Sequence, residues 1–209
     1  MSILGILGTI HNDEMRKDYN YSLEKMAEII EDFKPDIICG EVRPEDWNKY
    51  LENKNYEGYL GPSEYRKMII PFCEEKKIRF IPVDWFEDDL VELDYFFGKS
   101  ENEIKQLNLQ LDAFIDDFLK AAKKSKIPFN SLKFNRVIEK KQNFQNKINP
   151  VVHNIYWIAR NQIMIERIKK ILNTNYGSRV LCTTGAEHTF FYCRELKKTD
   201  WKIIYPLQT

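Results

Sequence analysis

Five short apolar runs punctuate this chain, and between them apolar residues recur at helical spacing. Residues 3–7 are apolar and end at Gly8, which predicts a strand buried on both faces and followed by a tight turn. From Tyr19 onward Leu23, Met26, Ala27, Ile30 and Phe33 mark a helix with one buried stripe, closed by Lys34-Pro35. Residues 36–40 form a second strand. The order strand, helix, strand predicts two adjacent parallel strands, with Glu41 just past the carboxyl end of the second.

A polar stretch rich in Asn, Glu and Tyr follows over 43–61, and Pro62-Ser63 opens a helix whose buried face is Tyr65, Met68, Ile69 and Phe72. Residues 78–83 make a third strand ending in Asp84-Trp85. Its Pro82 lacks a backbone donor, which predicts a position near a sheet edge. Over about 87–173 no strand pattern occurs. Leu107, Leu111, Phe114, Ile115, Phe118 and Leu119 mark one helix there, and Ile155, Ile158, Ala159, Ile165, Ile168 and Leu172 another. The charged stretch between them reads as helical on both sides of Pro128. Strand and helix alternation resumes at 179–183, with a helix over 186–196 and a last strand over 201–205. The expected fold is a single α/β domain over 1–209. Its mostly parallel central sheet of about five strands is flanked by helices, with a large helical insertion, a candidate lid, over about 87–173.

Gly8-Thr9-Ile10-His11 after the first strand and Gly185-Ala186-Glu187-His188 after the fourth share one Gly-x-x-His spacing. Ligands of open parallel sheets bind outside the carboxyl ends of the strands, where His11, Glu41, Asp84 and His188 fall on four different strands. Two imidazoles and a carboxylate suit a divalent first-row metal with open positions, such as Mn, Co or Zn, held by His11, Glu41 and His188. The same set serves without a metal if a carboxylate orients one histidine as a general base for water. Each glycine is expected to let the backbone turn sharply so that the imidazole faces the crevice.

Plainer readings stand beside these. Glu41 also suits a helix N-cap partner or a solvated acid, and Asp84 a cap of the next helix. Arg160-Asn161, on a packed helix face, suits either a structural ion pair or an anchor for an anionic substrate group. Arg43, close after Glu41, and Glu64, in the first turn of a helix, are comparable substrate-binding candidates, as are Asp84 and Asn161. His153 has no preceding glycine and reads as a packed or surface histidine.

Composition narrows the partners. Lys plus Arg and Asp plus Glu are both 32, so no overall basic field exists to hold a nucleic-acid backbone. The four cysteines include no Cys-x-x-Cys pair and read as reduced core thiols. No signal peptide and no membrane span is read. The expected setting is the cytoplasm, and the expected partner a small molecule or peptide rather than nucleic acid or membrane.

Leu7-Gly8-Thr9-Ile10-His11, Pro35-Asp36-Ile37-Ile38-Cys39-Gly40-Glu41, Ile158-Ala159-Arg160-Asn161 and Thr184-Gly185-Ala186-Glu187-His188 together resemble the TraB and Tiki superfamily. That superfamily groups with the erythromycin esterase and ChaN-like proteins. The resemblance spans nearly the whole chain but leaves about 87–150 unmatched. It implies an α/β fold with both Gly-x-x-His motifs and the glutamate at one site. Tiki proteins are metal-dependent proteases, erythromycin esterases are hydrolases without an essential metal, and ChaN-like members bind haem. No Tiki-type membrane anchor is read here, so a secreted-signal substrate does not carry over. The leading expectation is a hydrolase of ester or amide bonds in which His11, Glu41 and His188 hold a metal and its water, with Arg160 stabilising developing negative charge. A metal-free hydrolase with a histidine base comes second, and a non-catalytic ligand or haem binder third. A metal-dependent oxygenase comes last.

Overall fold

The computed structural model describes residues 2–207. Strand β1 (Ile3–Thr9) leads through helix α1 (Asp13–Asp18) and helix α2 (Leu23–Phe33) to β2 (Ile37–Gly40). Helix α3 (Pro44–Glu52), a π-helical turn (Tyr65–Ile69) and α4 (Ile70–Lys76) precede β3 (Arg79–Pro82). The helical block holds α5 (Glu101–Lys123), α6 (Leu132–Ile148) and a long helix built of α7 (Pro150–His153), a second π-helical turn (Asn154–Ala159) and α8 (Arg160–Thr174). Then come β4 (Arg179–Gly185), a short 3₁₀ turn (Ala186–His188), α9 (Thr189–Leu196) and β5 (Lys202–Ile204).

Local chemistry sets these boundaries. Ser22 caps α2 by accepting from the Lys25 amide, and Lys34 ends it in the left-handed region at φ 52°. Ser100 and Glu103 form a reciprocal capping box at the start of α5. Two short helices depart from the sequence reading. In the stretch read only as polar, Pro44 at the first turn starts α3, with Glu45 and Asp46 at its positive end. Asn12 likewise caps α1 by accepting from the Met15 amide, so α2 starts at Leu23 rather than at Tyr19. The chain from 179 to 204 follows the expected order closely.

All five strands are parallel, in the order β3-β2-β4-β1-β5. Pro82 lies on the edge strand, where its missing donor costs no ladder bond. The expected adjacency of β1 and β2 is overturned, because β4 lies between them. A crossover helix fixes the sense of two strands but not that they are neighbours. The chain therefore leaves β1 toward one edge of the sheet and β4 toward the other, and their diverging loops open a crevice between these two strands. Glu41 consequently stands beside β4 and not beside β1.

Side chains alternate cleanly between two cores. Leu7, Ile38 and Leu181 pack with α2, the 65–76 helix and the Phe129–Phe134 ring pair on one face. Leu4, Ile6, Ile37, Cys39, Val180 and Cys182 pack with Met164, Ile165, Ile168 and Leu172 of α8 and with α9 on the other. The last part of the helical block is thus a layer of the sheet's own core. All four cysteines are free and buried. Among the described residues no helix is long and apolar enough to cross a membrane.

Leu181 is fully buried on the inner strand β4, whereas Leu109 on α5 is exposed. Leu181→Ala is expected to lower stability by about 2–5 kcal/mol and Leu109→Ala by no more than about 0.5 kcal/mol in urea unfolding. Equal losses at the two positions would contradict this assignment of the core.

Candidate functional site

The β1–β4 register sets Thr9 opposite Gly185 and Gly8 opposite Thr184, so the two Gly-x-x-His motifs leave the sheet side by side. His11 follows β1 directly. Its Nδ1 lies 2.7 Å from Oε1 of Glu64, a fully buried residue at the entrance to the first π-helical turn. Glu64 also accepts from the Thr9 hydroxyl at 2.7 Å and from Arg16 Nη1 at 3.4 Å. A carboxylate partner puts the neutral ring's proton on Nδ1 and leaves Nε2 as a lone pair. The His11 side chain is 45% exposed and lies 3.7 Å by Nε2 from Glu41 Oε2. Partial burial opposes its positive charge, but the Glu64 hydrogen bond and the Glu41 and Glu64 charges prevail and raise its pKa above 6.5.

His188, on the 3₁₀ turn after β4, is buried. Its Nδ1 is 2.8 Å from Asn161 Oδ1, and the Asn161 amide donates to the Trp157 carbonyl, which fixes Oδ1 as the acceptor and Nδ1 as the donor. The Trp157 ring stacks on the imidazole at 4.4 Å, 12° from parallel. Burial, followed by the Arg160 and His11 charges, drives the His188 pKa well below 6.5. Its unprotonated Nε2 faces Glu41 Oε1 at 3.4 Å.

Glu41 joins the two histidines. It is fully buried, and its Oε2 accepts the Gly185 amide at 2.6 Å. Oε1 has no hydrogen-bond partner among the described residues. Burial, with Asp84 adding to it, raises the Glu41 pKa against the opposing pull of Arg160, His11 and the Gly185 amide. Arg160 makes a bidentate pair with buried Asp84 at 2.8 and 2.9 Å, and its Nη2 lies 3.9 Å from Glu41 Oε1. Arg167 holds the Asp84 carbonyl in turn.

The motif glycines act differently from the sequence expectation. Neither Gly8 nor Gly185 has a positive φ. A Cβ on Gly185 would stand 2.7 Å from His11 Nε2, and one on Gly8 2.9 Å from Ala186 Cα. Close approach of the two strand ends, and not a sharp turn, requires them.

The cleft has a volume of about 350 Å³. His11, Arg160 and His188 line it together with the apolar surfaces of Met15, Phe118, Tyr156 and Trp157. Three of the four expected substrate-binding residues lie behind this wall: Glu64 holds His11, Asp84 holds Arg160 and Asn161 holds His188. The fourth, Arg43, lies to one side, paired with Asp46 at 2.5 Å and 4.7 Å from the Phe86 ring centre. His153 is a packed histidine bonded to Tyr95 at 3.2 Å. Sequence reasoning missed Arg16, whose burial rests on contacts from distant Ser63 and Glu64. It also missed Trp157, although a residue three before Arg160 and four before Asn161 shares their helix face.

By donor type His11, Glu41 and His188 suit a divalent first-row ion: two imidazole lone pairs and a carboxylate oxygen without a partner. By arrangement the histidines approach opposite oxygens of Glu41. Among the described residues, no three His, Cys, Asp or Glu side chains close tightly enough to hold an ion. Comparison with family models, curated proteins and solved structures finds no match in any of the three.

The two histidines should titrate apart. By nuclear magnetic resonance His11 is expected to titrate above 6.5 and His188 well below it. With its pKa raised, His11 stabilises the fold fully below about pH 6.5, and that contribution fades as pH rises through its folded value. His188 has the opposite sign, stabilising above about pH 6.5 and losing this as pH falls. Glu64→Gln should bring the His11 titration downward. An unmoved titration would sever the pair.

Proposed function

We propose that this protein is a hydrolase of ester or amide bonds in which His11 is the general base. The observation that carries the reading is the His11–Glu64 pair. A buried carboxylate holds Nδ1 at 2.7 Å, and the half-exposed ring lines the cleft. In this reaction a cleft water loses its proton to His11 Nε2 as its oxygen attacks the carbonyl carbon. The resulting oxyanion meets Arg160, two of whose nitrogens are fixed by Asp84 while Nη1 has no partner among the described residues. Collapse of the tetrahedral intermediate breaks the bond to the leaving group, which takes the proton from His11. The acid and the alcohol or amine depart. His188, neutral and stacked on Trp157, lines the cleft as well, and Glu41 lies buried between the two histidines.

The relation to the TraB and Tiki superfamily belongs to the same proposal, supported by the two Gly-x-x-His motifs meeting at one cleft with Glu41 between their histidines. The second reading, a divalent metal held by His11, Glu41 and His188, is favoured by the unpartnered Glu41 Oε1. Such an ion, when bound, would acidify water and polarise the carbonyl. A cytoplasmic setting accords with four free thiols and no spanning helix among the described residues.

The test is hydrolysis of simple carboxylic esters and N-acyl amides. His11→Gln should lower kcat/KM by about 10²–10⁴-fold. Because the base must be unprotonated, kcat/KM should rise with pH through a pKa above 6.5, and Glu64→Gln should move that limb down. Full turnover after exhaustive chelation supports the metal-free base. Loss on chelation with recovery on adding Mn, Co or Zn would replace it with the metal reading, and absence of turnover in every condition would reject both.

A further inference from the structure

A second cavity adjoins the cleft, lined by Tyr59, Phe86, Glu87, Leu90, Tyr156 and Arg160, with a volume of about 180 Å³. It shares Tyr156 and Arg160 with the His11 cleft, so a molecule bound across both would pass the Arg160 guanidinium. Building on the hydrolase reading, we infer that this side pocket is the substrate's specificity subsite and takes a single six-membered aromatic ring.

Size, wall chemistry and position support this. An apolar cavity of roughly 150 Å³ holds one benzene ring, so the side pocket matches the size of one ring. Its walls are themselves aromatic: Tyr59 and Phe86 meet edge to face, 5.5 Å apart at 87°. Aromatic pairs gain from such geometry beyond the area they bury, which aliphatic chains do not. The guanidiniums of Arg43 and Arg160 lie 4.7 and 5.7 Å from the Phe86 ring centre. Arg160 thus offers a cation to a ring in the side pocket and lines the cleft as well. Burial near the Asp84 and Glu41 charges raises the Tyr59 pKa above its ordinary value, so its hydroxyl stays protonated.

Arg43 has a place in this picture. It braces Phe86 from outside while bound to Asp46 and Asp88, and so shapes the pocket without touching what fills it. Leu90 is the aliphatic wall of the side pocket and does not line the His11 cleft, which makes it the position to alter.

Two matched ester pairs test the inference and locate the ring: methyl phenylacetate against methyl hexanoate, and benzyl acetate against hexyl acetate. The aromatic member of at least one pair should have a kcat/KM about tenfold higher. The first pair reports a ring on the acyl side, the second a ring on the leaving group. Leu90→Trp should erase the preference, and Leu90→Ala should let the pocket accept 2-naphthylacetate esters. Equal rates within both pairs, or a preference that survives Leu90→Trp, overturns the subsite. Calorimetric binding of phenylacetate against hexanoate separates this from the chemistry. Phenylacetate binding that survives His11→Gln and is lost in Leu90→Trp upholds the subsite even where no ester is hydrolysed. If phenylacetate binds no better than hexanoate, the subsite is rejected whatever the turnover.

Discussion

A side chain is absent at Gly185, and the site is built into that space. The backbone at the end of β4 comes close enough to donate its amide to Glu41, while the His11 ring from β1 lies where a Cβ would project, 2.7 Å from Nε2. Any larger residue must push His11 away from Glu41 or part β1 from β4. Gly8 does the same from the other strand, meeting Ala186 Cα at 2.9 Å from its notional Cβ. The repeated glycine is therefore a packing constraint on two neighbouring strands, because each chain exits over the other's glycine end.

Charge balance explains why so many ionisable groups stay buried together. Glu41, Glu64 and Asp84 are fully buried, and two guanidiniums, Arg16 and Arg160, stand against them. Of the two imidazoles, His11 is the one whose positive charge these carboxylates favour, since His188 is kept neutral by burial and by Arg160. Removing one member of a buried pair leaves its partner's charge uncompensated and costs several kcal/mol. Arg160 thus cannot be judged by its cleft contacts alone: it also holds Asp84 and faces Glu41.

The parts of this architecture that depend on local pattern were legible in the sequence. Strand runs, the main amphipathic helices and the edge position of Pro82 all follow from periodicity and from one missing donor. The meeting of His11, Glu41 and His188 followed from strand-end placement, which holds for any open parallel sheet. What local pattern lacks is strand order. The β1, α2, β2 unit says that the strands are parallel, while the insertion of β4 between them rests on a pairing across more than 170 residues. For the same reason Glu64 and Asp84 read as substrate contacts. Their burial, and so their work on His11 and Arg160, is decided by Arg16, Thr9 and Arg167 from distant parts of the chain.

The helical block completes the site through one stretch of backbone. Tyr156, Trp157, Arg160 and Asn161 occupy the second π-helical turn and the start of α8. From that one face Asn161 and Trp157 hold His188, Arg160 spans from Asp84 to Glu41, and Tyr156 stands where the cleft meets the side pocket. A regular α-helix would spread four residues at these spacings over about 140° of its circumference, and the wider π turn draws them together. The same helix continues into the sheet's second core through Met164, Ile165 and Ile168. The residues that grip His188 and Arg160 are thereby anchored to β4 and β2 from beneath, which ties the helical wall of the cleft to the sheet that carries the histidines.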